Sequence, residues 1–183
     1  MDKSILITEL NAINAARVNR MRVADLVMSN KDAFLPLLQI VFDVKNKTSV
    51  KAAWVLEFVV QRKLNWLLQY MDYFTENIPK IKNGSAVRPI AKVCEIFALY
   101  LDKNPSDKEK YQKNIDQIIE TSFDWMLSDH KIAIKVYTMQ TLFLFGKDQP
   151  WIYPELKIIL ENNLAKESFG YRNRALKILN KIA

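Results

Sequence analysis

The sequence predicts an all-α protein, folded as a right-handed α-α superhelix of about five helix pairs. Three observations predict it. Four segments read alike, Val50-Lys51, Val87-Arg88, Ile134-Lys135 and Tyr171-Arg172, each a large apolar residue followed by a base near the start of an amphipathic run. They recur at intervals of 37, 47 and 37 residues, the period of stacked helix-pair repeats, in which each pair buries its apolar face against its neighbours. Glycine is confined to Gly84, Gly146 and Gly170, each between apolar runs where a helix would stop or start, which disfavours a β-rich chain.

The elements follow from apolar spacing and from cap signals. The first pair is predicted over 3–12 and 15–28, with Asn11, Asn14, Ser29 and Asn30 as break and cap residues. A helix over 31–44 carries Phe34, Leu37, Leu38 and Val41 at helical spacing, with Pro36 delaying or kinking its start. Its partner runs to about Gln61, with Ser49 as N-cap. Leu64, Leu67, Leu68, Met71 and Phe74 form the stripe of a helix over 64–77. Ser85 or Arg88 caps the next, which ends near Leu101 with Pro89 in its first turn. Residues 102–110 are the longest polar stretch and read as an exposed loop, accounting for the longer middle interval. A helix over 109–128 is followed by one over 130–145 that Asp129 or His130 caps and Gly146 ends. The last pair starts at Pro150 and Pro154, ends its first helix near Ala165, and runs from Gly170 through Ile182.

A chain of 183 residues is long enough to bury about 70% of its unfolded surface in one domain, and the reading is a single repeat domain over 1–183. Cys94, the sole cysteine, excludes an internal disulfide and a four-thiolate zinc site. Its neighbours Val93, Ile96 and Phe97 predict a buried, inert thiol. The apolar stretch Ile5-Leu6-Ile7 is too short for a signal peptide, and no run approaches the length of a membrane span. A cytoplasmic location is expected.

Charge is distributed unevenly. The net charge is +7 and the pI is near 9.4. The predicted second helices of the pairs hold twelve bases against three acids, Asp25, Glu57 and Glu95, whereas the first helices hold fourteen acids against eight bases. Second helices line the concave side of a right-handed helix-pair solenoid, so that side is expected to be basic and to attract anions. The candidate partner-binding residues are Lys51, Arg88, Lys92, Lys131, Lys135, Arg172 and Arg174. For Lys51, Arg88, Lys135 and Arg172 the expected role is a structural ladder, each base bonding an acid or amide of the adjacent repeat. Lys92 lies one turn after Arg88 and Lys131 one turn before Lys135; such like-charge i, i+4 pairs repel, which suits a ligand-binding use. An acidic protein or peptide is the expected partner, with nucleic acid as the alternative. A monomer is expected, because Arg172, Arg174, Lys177, Asn180 and Lys181 give the last helix a polar outer face.

No catalytic constellation is visible. His130 is the only histidine, so neither a His-based zinc site nor a supported Ser-His-Asp triad can be assembled, and no cofactor or metal is expected. Phosphate-binding glycine loops are absent. Asp116, Glu120 and Asp124 stand at i, i+4 spacing on one helix and read as a solvated acidic face. Trp54, Trp66, Trp125 and Trp151 lie in apolar contexts and are expected to pack in the core, Trp151 being the most exposed. A non-enzymatic protein is expected.

The period is that of HEAT and armadillo repeats. The stretches Ala52-Ala53-Trp54-Val55-Leu56-Glu57-Phe58, Ala86-Val87-Arg88-Pro89-Ile90-Ala91-Lys92-Val93-Cys94-Glu95 and Trp151-Ile152-Tyr153-Pro154-Glu155-Leu156-Lys157 resemble a family of short bacterial HEAT-like proteins often labelled adenylosuccinate lyase. The resemblance implies an α-solenoid over nearly the whole chain. The label implies an enzyme with catalytic histidine chemistry and a Ser-Ser-x-Met-Pro-x-Lys-x-Asn loop, and this chain has no such loop and only His130. In general design, a basic concave face with Trp54 and Glu57 on one second helix, the chain is similar to HEAT-like DNA glycosylases of the alkylation-repair type. That likeness implies nucleic-acid binding, with base repair as a possible activity.

Overall fold

The computed structural model describes residues 2–182. Among them there are ten α-helices and no strand. They are α1 (Lys3–Ala12), α2 (Arg17–Met28), α3 (Phe34–Phe42), α4 (Thr48–Leu68), α5 (Met71–Asn77), α6 (Gly84–Lys103), α7 (Gln112–Leu127), α8 (Ile132–Phe145), α9 (Ile152–Asn163) and α10 (Phe169–Ile182). Consecutive helices pack as pairs at α3–α4, α7–α8 and α9–α10. None is long and apolar enough to cross a membrane.

The chain divides into two compact units within α6, after Val93. In the first, α4 is the central element and packs against α1, α2 and α3. Its buried residues Ala52, Ala53, Val55, Leu56, Val59 and Val60 face Leu6, Leu10, Val23, Val27, Leu37 and Leu38 of those helices. α4 is kinked at Lys63, whose φ of −135° and ψ of 49° are non-helical, so two helical stretches meet there, close to the predicted end near Gln61 and restart at Leu64. The predicted helix over 64–77 is interrupted once more, at Tyr70 (φ −118°, ψ 19°), which separates 64–68 from α5. Pro36 stands in the first turn of α3, preceded by a 3₁₀ turn over Lys31–Ala33, so it delays the helix without kinking it.

Asparagine does the capping that serine was expected to do. The Asn46 side chain accepts from the Thr48 N–H at 3.0 Å, and Ser49 is buried inside α4. Asn83 accepts from the Ser85 N–H at 2.9 Å, so α6 begins at Gly84 and neither Ser85 nor Arg88 is its cap. Pro89 therefore lies past the first turn.

In the second unit α8 is central and packs against α7, α9 and α10. Its core includes Ile118, Trp125, Met139, Leu142, Leu156 and Tyr171. The stretch expected as an exposed loop is largely helical: α6 continues to Lys103, and 3₁₀ turns follow over Pro105–Asp107 and Glu109–Tyr111. Helix α8 begins after His130, with Lys131 at the N-cap position and no side-chain cap, so neither Asp129 nor His130 caps it. Gly146 follows α8 in helical geometry. Its requirement is steric, since a Cβ there would collide with the Tyr153 ring.

Candidate partner-binding site

Three helices of the first unit bring three bases, Arg20, Arg88 and Lys92, to one acid, Glu57, with Arg17 beside them. On α2, Arg17 and Arg20 are three residues apart and share a face. On α4, Trp54, Glu57 and Phe58 do the same, and on α6 Arg88 and Lys92 are one turn apart. The Arg17 guanidinium carbon lies 5.5 Å from the centre of the Phe58 ring. That of Arg20 lies 5.8 Å from the Trp54 ring and 5.5 Å from the Phe58 ring, at which range the ring quadrupole attracts the cation. Arg88 donates through Nη2 to Glu57 Oε2 at 2.7 Å, and Gln61 donates to the other carboxylate oxygen at 3.4 Å.

Glu57 is buried, and burial pushes its carboxyl above the usual range while Arg88, Arg20 and Lys92 pull it back. Burial lowers the Arg20 pKa, and the Arg88 charge lowers it further. The Arg20 Nε is enclosed and has no hydrogen-bond partner. Arg17 and Arg20 are thus held against aromatic rings, and Arg88 against the buried carboxylate.

Trp54 has a structural role beside this cluster. Pro89 has no N–H, so the Ser85 carbonyl four residues earlier loses its helical donor. The Trp54 indole Nε1 donates to that oxygen at 2.9 Å, tying α4 to α6 across the break in the hydrogen-bond ladder.

The sequence-predicted bases fall into distinct environments. In the first unit, Lys51 Nζ donates to the Asn11 carbonyl at 2.7 Å, and Arg88 and Lys92 join the Glu57 cluster. In the second, Lys135 pairs with Glu167 at 2.8 Å with both side chains largely buried, and Arg174 donates to Gln140 at 2.8 Å. Lys131 and Arg172 are exposed. Lys51, Arg88 and Lys135 thus bond groups roughly one repeat away in sequence, as the ladder requires. Arg17 and Arg20 were not singled out by sequence reasoning. Their signal was present, two bases three residues apart on a second helix, but the weak amphipathicity of α2 hid which way they face.

Trp66 and Trp125 are buried, and Trp151 is 54% exposed. Asp116, Glu120 and Asp124 lie exposed along α7, and Asp116 accepts from Gln112 and Gln149. Among the described residues, no group of three or more His, Cys, Asp or Glu side chains is placed to hold a metal.

Paired helices of this period, stacked about a continuous apolar seam within each unit, define a helical repeat scaffold. The family described as HEAT repeat domain matches residues 10–182. The chain belongs to the HEAT repeat family. No curated protein and no solved structure matches it. The family match carries repeat architecture and brings no lyase activity with it.

Proposed function

We propose that this chain is a non-enzymatic HEAT scaffold that binds an acidic segment of another protein, in the cytoplasm, through bases on the second helices of its pairs. The observation that carries this reading is the gathering of Arg20, Arg88 and Lys92 at the buried Glu57 carboxylate, with Arg17 over the adjoining Phe58 ring. Lys131 and Arg172 are exposed and available for further contacts. Lys51, Lys135 and Arg174 contribute mainly by holding neighbouring helices, since each already has a partner within the chain.

The same cations would attract a phosphate backbone, which makes nucleic acid the second reading. Trp54 counts against it. Its N–H is engaged by Ser85 and its ring is covered by Arg20, so it offers no bare platform for a base.

A fluorescein-labelled glutamate-rich peptide followed by anisotropy tests the proposal. Binding is expected at low salt, and Lys92→Glu should weaken it about fivefold, corresponding to about 1 kcal/mol for a partly exposed charge. Affinity capture from native lysate with Lys92 and Lys131 reversed to glutamate should lose acidic proteins in parallel. Peptide binding indifferent to Lys92→Glu would overturn the proposal. Tighter binding of duplex DNA or RNA than of the peptide would replace it with the nucleic-acid reading.

A further inference from the structure

The second unit carries an apolar groove of about 690 Å³ between α7 and α9. Phe123, Leu127, Trp151 and Ile158 line it, with Glu155 and with Lys135, whose charge is paired with Glu167. Leu127 is 72% exposed, and Trp151 and Ile158 are each 54% exposed. Trp151 stacks on Phe123 with ring centres 5.8 Å apart, which holds the indole at the groove edge. Large side chains collected and left open in this way mark a docking surface rather than scattered surface apolarity. A neighbouring hollow, sharing Phe123 and Trp151, is edged by Asp116, Glu120 and Asp124. An occupant should therefore be apolar along one line and basic beside it.

The chain itself supplies such a helix. On α10, Phe169, Asn173, Leu176 and Asn180 are all exposed and fall at i, i+4, i+7 and i+11. Phe169 is 76% exposed and Leu176 48%. The exposed bases Arg172 and Lys177 flank them. The groove face of α9 has the same register: Trp151, Glu155, Ile158 and Asn162, again at i, i+4, i+7 and i+11, with Trp151 already in helical geometry. The two apolar residues on each face are thus separated by about 10.5 Å of helix rise. One face carries an acid where the other carries bases alongside. Within its own chain α10 is fixed to α8 and α9 through Tyr171, Ala175 and Ile178, so this exposed face is not the one that fills its own core. The polar outer face expected for α10 is interrupted by Phe169 and Leu176, and with it goes the sequence argument for a monomer.

We infer that α10 of one copy docks in the α7–α9 groove of a second copy. Phe169 and Leu176 enter beside Trp151 and Ile158, and Arg172 and Lys177 meet Glu155 and the α7 carboxylates. The contact is heterologous, because the groove and the helix that fills it are different surfaces of the chain. It uses none of the Trp54 cluster.

Sedimentation velocity across the micromolar to millimolar range tests this. The weight-average mass of the wild-type chain should rise with concentration above the 21.4 kDa of one copy. Ile158→Lys, which spoils the groove, and Leu176→Asp, which spoils the helix, should each abolish that rise. Both positions are exposed, and an unchanged thermal melt excludes misfolding. The deciding sample is the mixture. The Ile158→Lys chain keeps an intact α10 and the Leu176→Asp chain an intact groove, so equimolar mixing should restore association as a one-to-one species. A wild-type chain that stays monomeric throughout, or a mixture that stays monomeric while the wild type associates, would overturn the inference.

Discussion

A single missing N–H explains the placement of Trp54. The Ser85 carbonyl, deprived of its helical donor by Pro89, is satisfied by the indole instead, and such an intramolecular hydrogen bond contributes about 1 kcal/mol net. Trp54→Phe should therefore destabilise the protein by about 1 kcal/mol in urea titrations. In a Pro89→Ala background residue 89 regains its N–H, and the cost of Trp54→Phe should shrink; equal costs in both backgrounds would separate the two residues. Glu57 makes a pH-dependent contribution. Its folded-state carboxyl binds protons more tightly than the unfolded one, because burial outweighs the attraction of Arg88. Its contribution to stability is accordingly full below the unfolded value of 4.5 and is lost as pH rises through the folded value. The stability of wild type relative to Glu57→Gln should fall as pH is raised from below 4.5, a difference that chemical denaturation at several pH values reads directly. The Trp54–Ser85 bond was not legible in the chain, and the Arg88 pairing was legible only as a base meeting some acid or amide of the adjacent repeat. Glu57 is visible as an acid in a basic run, but which base meets it depends on helices 31 residues apart.

The helices themselves were largely legible, because their apolar spacing is strong, and what the sequence left open was where they stop. Ser49 and Asn46 are both good caps three residues apart; burial of Ser49 in the core of the first unit decides for Asn46. Asn83-Gly84, a dipeptide that opens hairpin turns in other settings, here starts α6. The polar run 102–110 looked unstructured because its short 3₁₀ turns bury little, and periodicity cannot register segments of three residues. At the end of α8 the reason for glycine lies outside the helix altogether. Tyr153 stacks on Phe143 with ring centres 6.0 Å apart and donates to the Phe143 carbonyl at 3.3 Å, and a methyl group on residue 146 would displace the ring. Gly146→Ala should cost about 1–3 kcal/mol by this overpacking, despite alanine's better helix propensity. The penalty should diminish in a Tyr153→Leu background, measured by the same melts.

Net charge and its partition among the helices are properties of the chain as a unit, and they were readable by counting. What counting could not supply is which bases are already engaged. Lys135 and Arg88 are held in ion pairs, whereas the Arg17 and Arg20 guanidiniums lie over aromatic rings, with Glu57 acting on Arg20 without a direct ion pair. At a net charge of +7, association with an acidic ligand should weaken as salt shortens the screening length from about 10 Å at 0.1 M. Docking between copies should retain an apolar component that salt does not remove.

Cys94, the only cysteine in the chain, stands on α6 beside the point where the two units divide, and it is buried. Burial also pushes its thiol pKa well above the ordinary value, so the reactive thiolate is scarce as well as hidden. An alkylating reagent can reach it only when that stretch of α6 opens. The wild-type protein thus contains its own stopwatch: the rate at which it takes up a maleimide counts the excursions of one helix, with no label to engineer and no second thiol to confuse the signal.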